Sequence, residues 1–426
     1  MFSVLGALFS LAAVESSDQI QTDNQKPCLS IKDAIHRAME NHPNILIAEA
    51  NQDAAQANLI AARSRSFPTV TLFGQSGFGE TPPIDRRSDE QIGAQLNLEL
   101  YSFGSRRFAK EAAKHQLEAA KLGVGIAHED IAAAAALAFV EHQRAVELVA
   151  LAKEQEEALR SDAKTAPSRL ERQVITLGEA SQIRSRYAAA KSEVINRELA
   201  QRTAQANLSL LIGYEANCYG GAGLTELDRF ETKRLMRLNT DEAIDMALHH
   251  SSQIKQSLAE VNSAESSVKE ASKAGLPTLN LTGFTTYEYD NFTDDFVREE
   301  RLGVSLTQDL FTGGRNHANS LSAKSRLKDA KANAELDRMS IAEGINRFHT
   351  EANYLQKANR ELNESRSQAK VRLKNTKLEY QLGTKTLTDL VLAQEDYYRA
   401  AQQETITRYS SYESIIRLRQ AAGIMI

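Results

Sequence analysis

The chain has 426 residues, 42% of them hydrophobic, and a net charge of −5 with no basic stripe or tail, which excludes nucleic acid as a partner. With no Trp, 7 Pro and 6% aromatic residues it lacks the bulky side chains of thick globular cores. Its Ala, Gln, Glu, Lys, Arg and Leu instead suit long helices.

Residues 1–14 read as a secretory signal: Phe2 to Val14 is apolar, too short to span a bilayer, and ends in small residues. A basic start is missing, so an apolar tail or a start assigned too far downstream stays open. Cys28 and Cys218 flank the first half of the chain and read either as a disulfide or as two thiols. No later segment is apolar enough to cross a membrane as a helix, so membrane contact falls to strands.

A helix is expected over about 30–66, ending before Pro68, because the residue preceding proline leaves the helical region. A hairpin follows over about 68–103. In its second arm Ile92, Ala94, Leu96, Leu98 and Leu100 alternate with Gln91, Gly93, Gln95, Asn97 and Glu99, giving one apolar and one polar face. After Gly104 a helical pattern runs for about 60 to 70 residues, roughly 90 to 105 Å. Ile131, Ala135, Leu137, Ala138 and Val149 mark its packing positions. The chain turns between Ala166 and Gly178 and returns to Gly213.

The Gly-rich segment within 214–237 reads as a linker. Beyond it the pattern repeats. At a shift of 209 to 210 residues Ala34-Ile35 falls on Ala243-Ile244, Pro68 on Pro277, Gly74 on Gly283, Leu100 on Leu310 and Gly104 on Gly314. The chain is thus two repeats, 29–213 and 238–423, the second with a helix over about 239–275 and a hairpin over about 277–311. Its second arm places Leu302, Val304, Leu306 and Leu310 opposite Arg301, Gly303, Ser305, Thr307 and Asp309. The two hairpin regions, 67–106 and 276–315, hold 11 of the 26 Phe and Tyr residues, so they face a different environment from the helices. The second-repeat turn lies at Leu382, Gly383 and Thr384. In ungapped register Gln173 falls on Gly383 and Glu179 on Asp389; pairing Gly178 with Gly383 needs a five-residue shift.

A hairpin with one bare apolar face is an aggregation hazard in water but suits lipid, where spanning strands need about 9 to 11 residues and a closed sheet. Four strands enclose nothing, so closure requires several copies. Other chemistries fit poorly. Gly74, Gly77 and Gly79 open no helix, Gly313-Gly314-Arg315 reads as a strand-to-helix turn, and His249-His250 lacks metal spacing. No catalytic triad or dyad stands out.

The opening Ala34-Ile35, Ala38 and His42-Pro43, the proline before each first strand, the strand exits LYSFG and LFTGG, and YQLGTKTLTDLVLAQ at Tyr380 to Gln394 resemble the TolC-like outer membrane factors of efflux pumps and type I secretion systems. The resemblance covers nearly the whole chain after residue 29. It implies a mainly α fold with membrane β, in which a homotrimer forms a twelve-stranded barrel continued by a long α-helical barrel across the periplasm. Function would be passive conduction from an inner-membrane transporter of ABC or RND type through a periplasmic adaptor to the exterior, without cofactor or catalysis. By position Asp389 resembles a member of an acidic ring at the pore constriction, with Lys385 beside it, while Leu392 stands where relatives can carry a second acid. Leu382, Gly383, Thr384, Leu177 and Gly178 resemble adaptor-docking tip residues. The loops 81–90 and 290–300 are expected outside the cell. A periplasmic coiled-coil or adaptor protein without a pore is the alternative.

Overall fold

The computed structural model describes residues 29–40, 42–81, 84–213, 236–290 and 295–424. The apolar run 1–14, Cys28, Cys218 and the linker up to residue 235 lie outside the described residues.

Each half begins with two helices, not the single one expected. They are α1 (Ile31–Glu40) and α2 (Pro43–Ser64) in the first, and α5 (Thr240–His250) and α6 (Ser252–Lys273) in the second. The breaks are local. His42 is extended (φ −71°, ψ 132°), its ring nitrogen accepts from the Asn44 N–H at 3.2 Å, and Pro43 opens α2, where a missing N–H costs nothing. Ser251 does the same work without proline, its hydroxyl accepting from the Ile254 N–H at 3.4 Å.

Strands β1 (Thr69–Thr81), β2 (Ile84–Tyr101), β3 (Thr278–Asp290) and β4 (Asp295–Thr307) form one antiparallel sheet in that order. The repeats therefore meet edge to edge through β2 and β3, with Leu96 opposite Gly283 and Leu98 opposite Leu281. Strand β4 stops at Thr307, short of the expected 311. The alternation continues to Leu310, but the backbone leaves the ladder ahead of Gly313 and Gly314, both at positive φ.

Helices α3 (Ser105–Glu171) and α7 (Arg315–Gln381) have 67 residues each, about 100 Å at 1.5 Å per residue. They turn back into α4 (Leu177–Ile212) and α8 (Leu387–Ala421). Contrary to the sequence expectation, α3 contains a stretch long and apolar enough to cross a membrane; its Ile131, Phe139 and Val140 are instead buried in the bundle. Five knots of buried side chains hold the described bundle, three of them larger than the small α2–α3 and α3–α8 contacts of Leu59 with Leu117 and of Leu148 and Leu151 with Ala401. One gathers Ile31, Ile35, Ile131, Phe139, Leu208 and Ile416 from α1, α3, α4 and α8. A second joins Ala243 and Ala247 to Ile341, Ile345 and Leu418. The third lies at the tip, where Ala166, Ile175, Ala180 and Ile183 of the first repeat meet Leu387 and Val391 of the second. Between knots, α8 is tied by charge: Glu404 to Arg366 on α7 at 2.8 Å, Arg408 to Glu147 on α3 at 2.5 Å and Glu413 to Arg144 on α3 at 3.1 Å.

Candidate functional site

Two regions carry function-bearing geometry, the faces of the sheet and the hairpin tips. Cross-strand register fixes the faces. Val70, Leu96, Gly283 and Leu302 form one row, and Leu98, Leu281 and Val304 another, all on the same side. Leu302, Val304 and Leu306 are 74%, 61% and 66% exposed, an apolar surface that water does not favour. At one end of it Tyr287, Tyr289 and Phe296 cluster, the last two edge to face at 5.4 Å; at the other lie exposed Phe67, Tyr101 and Phe311. Apolar rows bounded by aromatic rings match the lipid face of a membrane strand. The opposite side carries the rows Thr71, Gln95, Phe284 and Arg301, then Gln75, Gln91, Glu288 and Val297, a mainly polar face that suits water.

The two tips are built alike. Each long helix ends in a residue at positive φ, Gln173 (φ 56°) or Gly383 (φ 78°). The next amide closes the turn on the fifth residue back, Val174 N–H to Arg169 O at 2.9 Å and Thr384 N–H to Glu379 O at 3.0 Å. A threonine then caps the return helix in a reciprocal box, Thr176 with Glu179 and Thr386 with Asp389. This is the ungapped register, and it makes Leu177 and Gly178 the first residues of α4, not turn residues.

Asp389 Oδ2 accepts from the Thr386 hydroxyl at 2.7 Å and the Thr386 N–H at 3.0 Å. These two bonds, then the charges of Lys385 and Arg372, hold its carboxyl below the ordinary carboxylate range. Lys385, Leu382 and Thr384 are exposed, and the Thr384 hydroxyl donates to Glu379 O at 2.9 Å. The turns differ in what they turn outward. In the first, Ile175 is buried while Val174 and Leu177 are exposed; in the second, Lys385 occupies the position of Ile175 and Leu387 is buried. Leu392 is 46% exposed.

Two tip contacts escaped the sequence reading. Arg169 on α3 donates to the Tyr380 hydroxyl of α7 at 2.7 Å, and Arg186 on α4 pairs with Glu395 on α8. Their separations of 211 and 209 positions lie one either side of the 210-residue shift at the tip, so each contact joins residues one position from equivalence in the two repeats. That coincidence of spacing was the available signal.

A sheet with one lipid-compatible and one water-compatible face, standing on a bundle of about 100 Å helices, defines a subunit of an outer-membrane channel with a long periplasmic extension. The sequence profile described as outer membrane efflux protein matches residues 34–214 and 243–424, one span per repeat, and the chain belongs to that family. Over 410 residues it is 24% identical to the outer membrane protein TolC of Vibrio cholerae, across 93% of this chain and 91% of that protein. The outer membrane efflux protein BepC of Brucella suis is 21% identical over 388 residues, covering 90% and 83%. The crystal structure of the CmeC outer membrane channel of Campylobacter jejuni superimposes with a TM-score of 0.81 at 18% identity, covering 99% of this chain and 93% of CmeC. The chain is thus an outer membrane efflux channel and not an enzyme, which sets aside a coiled-coil protein without a pore.

Proposed function

We propose that three copies of this chain close into a twelve-stranded barrel and a helical tunnel, which conducts cargo passively from an inner-membrane transporter and its periplasmic adaptor. The observation that carries this reading is the sheet. Both edge strands, β1 and β4, have one unpaired edge, and lipid offers no hydrogen bonds to such edges, so β4 of one copy must pair with β1 of the next. The two run antiparallel to each other in a ring of such units, which keeps every apolar face outward.

At the far end, Val174, Leu177 and Leu382 present apolar side chains beside Gly178, Gly383 and Thr384, and we assign this surface to the adaptor. Asp389 and Lys385 are assigned to the constriction. Three Asp389 carboxylates about one axis favour cations, and Leu392 adds no second acidic ring.

Cysteine pairs placed along β1 (Thr69 to Thr71) and β4 (Gly303 to Thr307) test closure. Oxidation of detergent-extracted membranes should give a covalent trimer, and the same protein should form small, cation-preferring pores in planar bilayers. A soluble monomer without conductance would sink the proposal.

A further inference from the structure

The two strand-to-helix junctions correspond by the duplication, yet they are held differently. At the first, Arg106 lies across the corner between α2, β2 and α3. Its Nη1 donates to Arg65 O at 3.3 Å and to Glu99 O, its Nη2 to Leu100 O at 3.0 Å, and its Nε stands 3.6 Å from Glu99 Oε1. The guanidinium is one-fifth exposed, and its planar fork suits several fixed acceptors at once. Around it the β2–β3 register shifts between Glu99 and Tyr101, Ser102 is buried, and Phe103 takes φ 53°, its ring edge to face with Tyr101 at 4.7 Å. A side chain in that backbone region is costly unless its surroundings hold it.

At the second junction Asn316 occupies the position of Arg106, and Gly313 that of Phe103. In the single chain Gly313 and Gly314 (φ 60° and 87°) have nothing within 4 Å of where a Cβ would stand, and Leu310 and Phe311, next to the β4 edge that the neighbouring copy would cover, are about nine-tenths exposed. The described side-chain ties are an exposed Arg315–Asp309 pair at 3.3 Å, one bond from Gln308 to Gly275 O at 3.2 Å, and the Asn316 N–H to the Thr312 hydroxyl at 3.4 Å, the last matched at the first corner by the Arg106 N–H to the Ser102 hydroxyl at 3.4 Å. The backbone bonds are the same at both corners: Ser105 N–H to Ser102 O and Phe108 N–H to Gly104 O, against Arg315 N–H to Thr312 O and Ala318 N–H to Gly314 O. The backbone bonds thus do not separate the two corners; the Arg106 strap, and Phe103 against Gly313 at the positive-φ position, do.

We infer that Arg106 is a positioning residue that locks α3 to the sheet, while the Gly313-Gly314 corner is the pivot about which α7 turns relative to the sheet. The consequence for conduction, that movement of the tunnel under the barrel starts from the second repeat, rests on the channel reading above. The strap itself does not.

Hydrogen–deuterium exchange on the detergent-extracted full-length protein tests it. After correction for intrinsic rates, amides at 308–318 should exchange about tenfold faster than those at 99–108. Arg106→Lys, which keeps the charge but not the fork, should bring 99–108 to the rate of 308–318 while leaving the thermal midpoint unchanged. The same variant should increase open-channel current noise in planar bilayers. Equal exchange at the two junctions of the parent protein overturns the inference even if no variant folds, as does an Arg106→Lys protein whose 99–108 rate is that of the parent. Unequal exchange without any conductance would uphold the strap and refute the channel reading instead.

Discussion

The Arg169 guanidinium donates to the Tyr380 hydroxyl at 2.7 Å and stands 5.2 Å from the same ring's centroid, so one side chain joins the first-repeat tip to the second in two ways. Because α3 and α7 approach each other here, this contact resists separation of the two hairpins. A charge-assisted, half-buried bond of this kind contributes about 1 kcal/mol. Tyr380→Phe keeps the ring and the cation contact and should raise single-channel conductance slightly. Arg169→Ala removes both and should raise it more. Identical conductance in parent and Arg169→Ala would show that the contact does not restrain the tip.

The face assignment makes an asymmetric prediction for adjacent residues on β4. Val304 lies on the apolar side, within the row of Leu98 and Leu281, and Ser305 on the polar side opposite Asn280. An arginine on the lipid side near the bilayer midplane costs about 3 kcal/mol, whereas a lumen-side arginine meets water. Val304→Arg should therefore lower the yield of folded protein in the outer membrane, with Ser305→Arg near the parent and altered in ion selectivity. Fractionation and heat-modifiability on gels check it, and equal yields would mean that the faces are misassigned.

Asp389 fixes the sign of a pH prediction. Its folded pKa lies below the ordinary value of 3.8 because Thr386 donates twice to it, with Lys385 and Arg372 adding their charge. A carboxyl shifted down contributes fully above its ordinary pKa and loses that contribution only as pH falls through the folded value. Between pH 7 and pH 5 the cap and the cation preference should both hold. Reversal potentials in asymmetric KCl should be flat over that range in the parent and shifted toward zero in Asp389→Asn. A parent whose selectivity collapses near pH 5 would assign the charge to another group.

How much of this was readable follows from the range of each signal. Alternation at Leu302, Val304 and Leu306 is local and gave the strand faces, and Pro68 and Pro277 gave the ends of the helices that precede them. The duplication placed the first tip, since Gln173 bears the backbone role of Gly383 despite its side chain. The break at Ser251 was missed because it rests on one hydroxyl-to-amide bond in a polar run that reads as helix throughout. The strap at Arg106 was missed because its acceptors are backbone carbonyls, which have no identity in a sequence.

Glu404 is the buried centre of a ladder, bound by Arg366 at 2.8 Å and Arg408 at 2.9 Å, with its side chain 6% exposed. Burial disfavours the Arg408 charge, yet Glu147 and Glu404 outweigh it and raise its pKa. Removing the carboxylate leaves Arg366 facing Arg408 without its acid while Arg408 keeps Glu147 at 2.5 Å, so Glu404→Ala should cost about 3 kcal/mol. Glu404→Gln retains a neutral acceptor and should cost less. Thermal unfolding in detergent orders the three proteins. A Glu404→Ala midpoint equal to that of the parent would mean that solvent compensates Arg366 and that Glu147 alone suffices for Arg408.

Glu413 behaves in the opposite sense to Asp389. Burial raises its pKa above the ordinary 4.5; Arg144 opposes the rise, and the neighbouring Glu141 adds to it. A carboxyl whose folded pKa lies above its unfolded one binds its proton more tightly when folded. Its contribution is then full below about 4.5 and is lost as pH climbs through the folded value. Glu413→Gln carries no charge to bury, and Arg144 keeps its contact with Glu141. The thermal midpoint of the variant, taken relative to the parent, should therefore rise between about pH 4 and pH 7. If that difference stays constant or falls, the Arg144 pair at 3.1 Å outweighs the burial of Glu413.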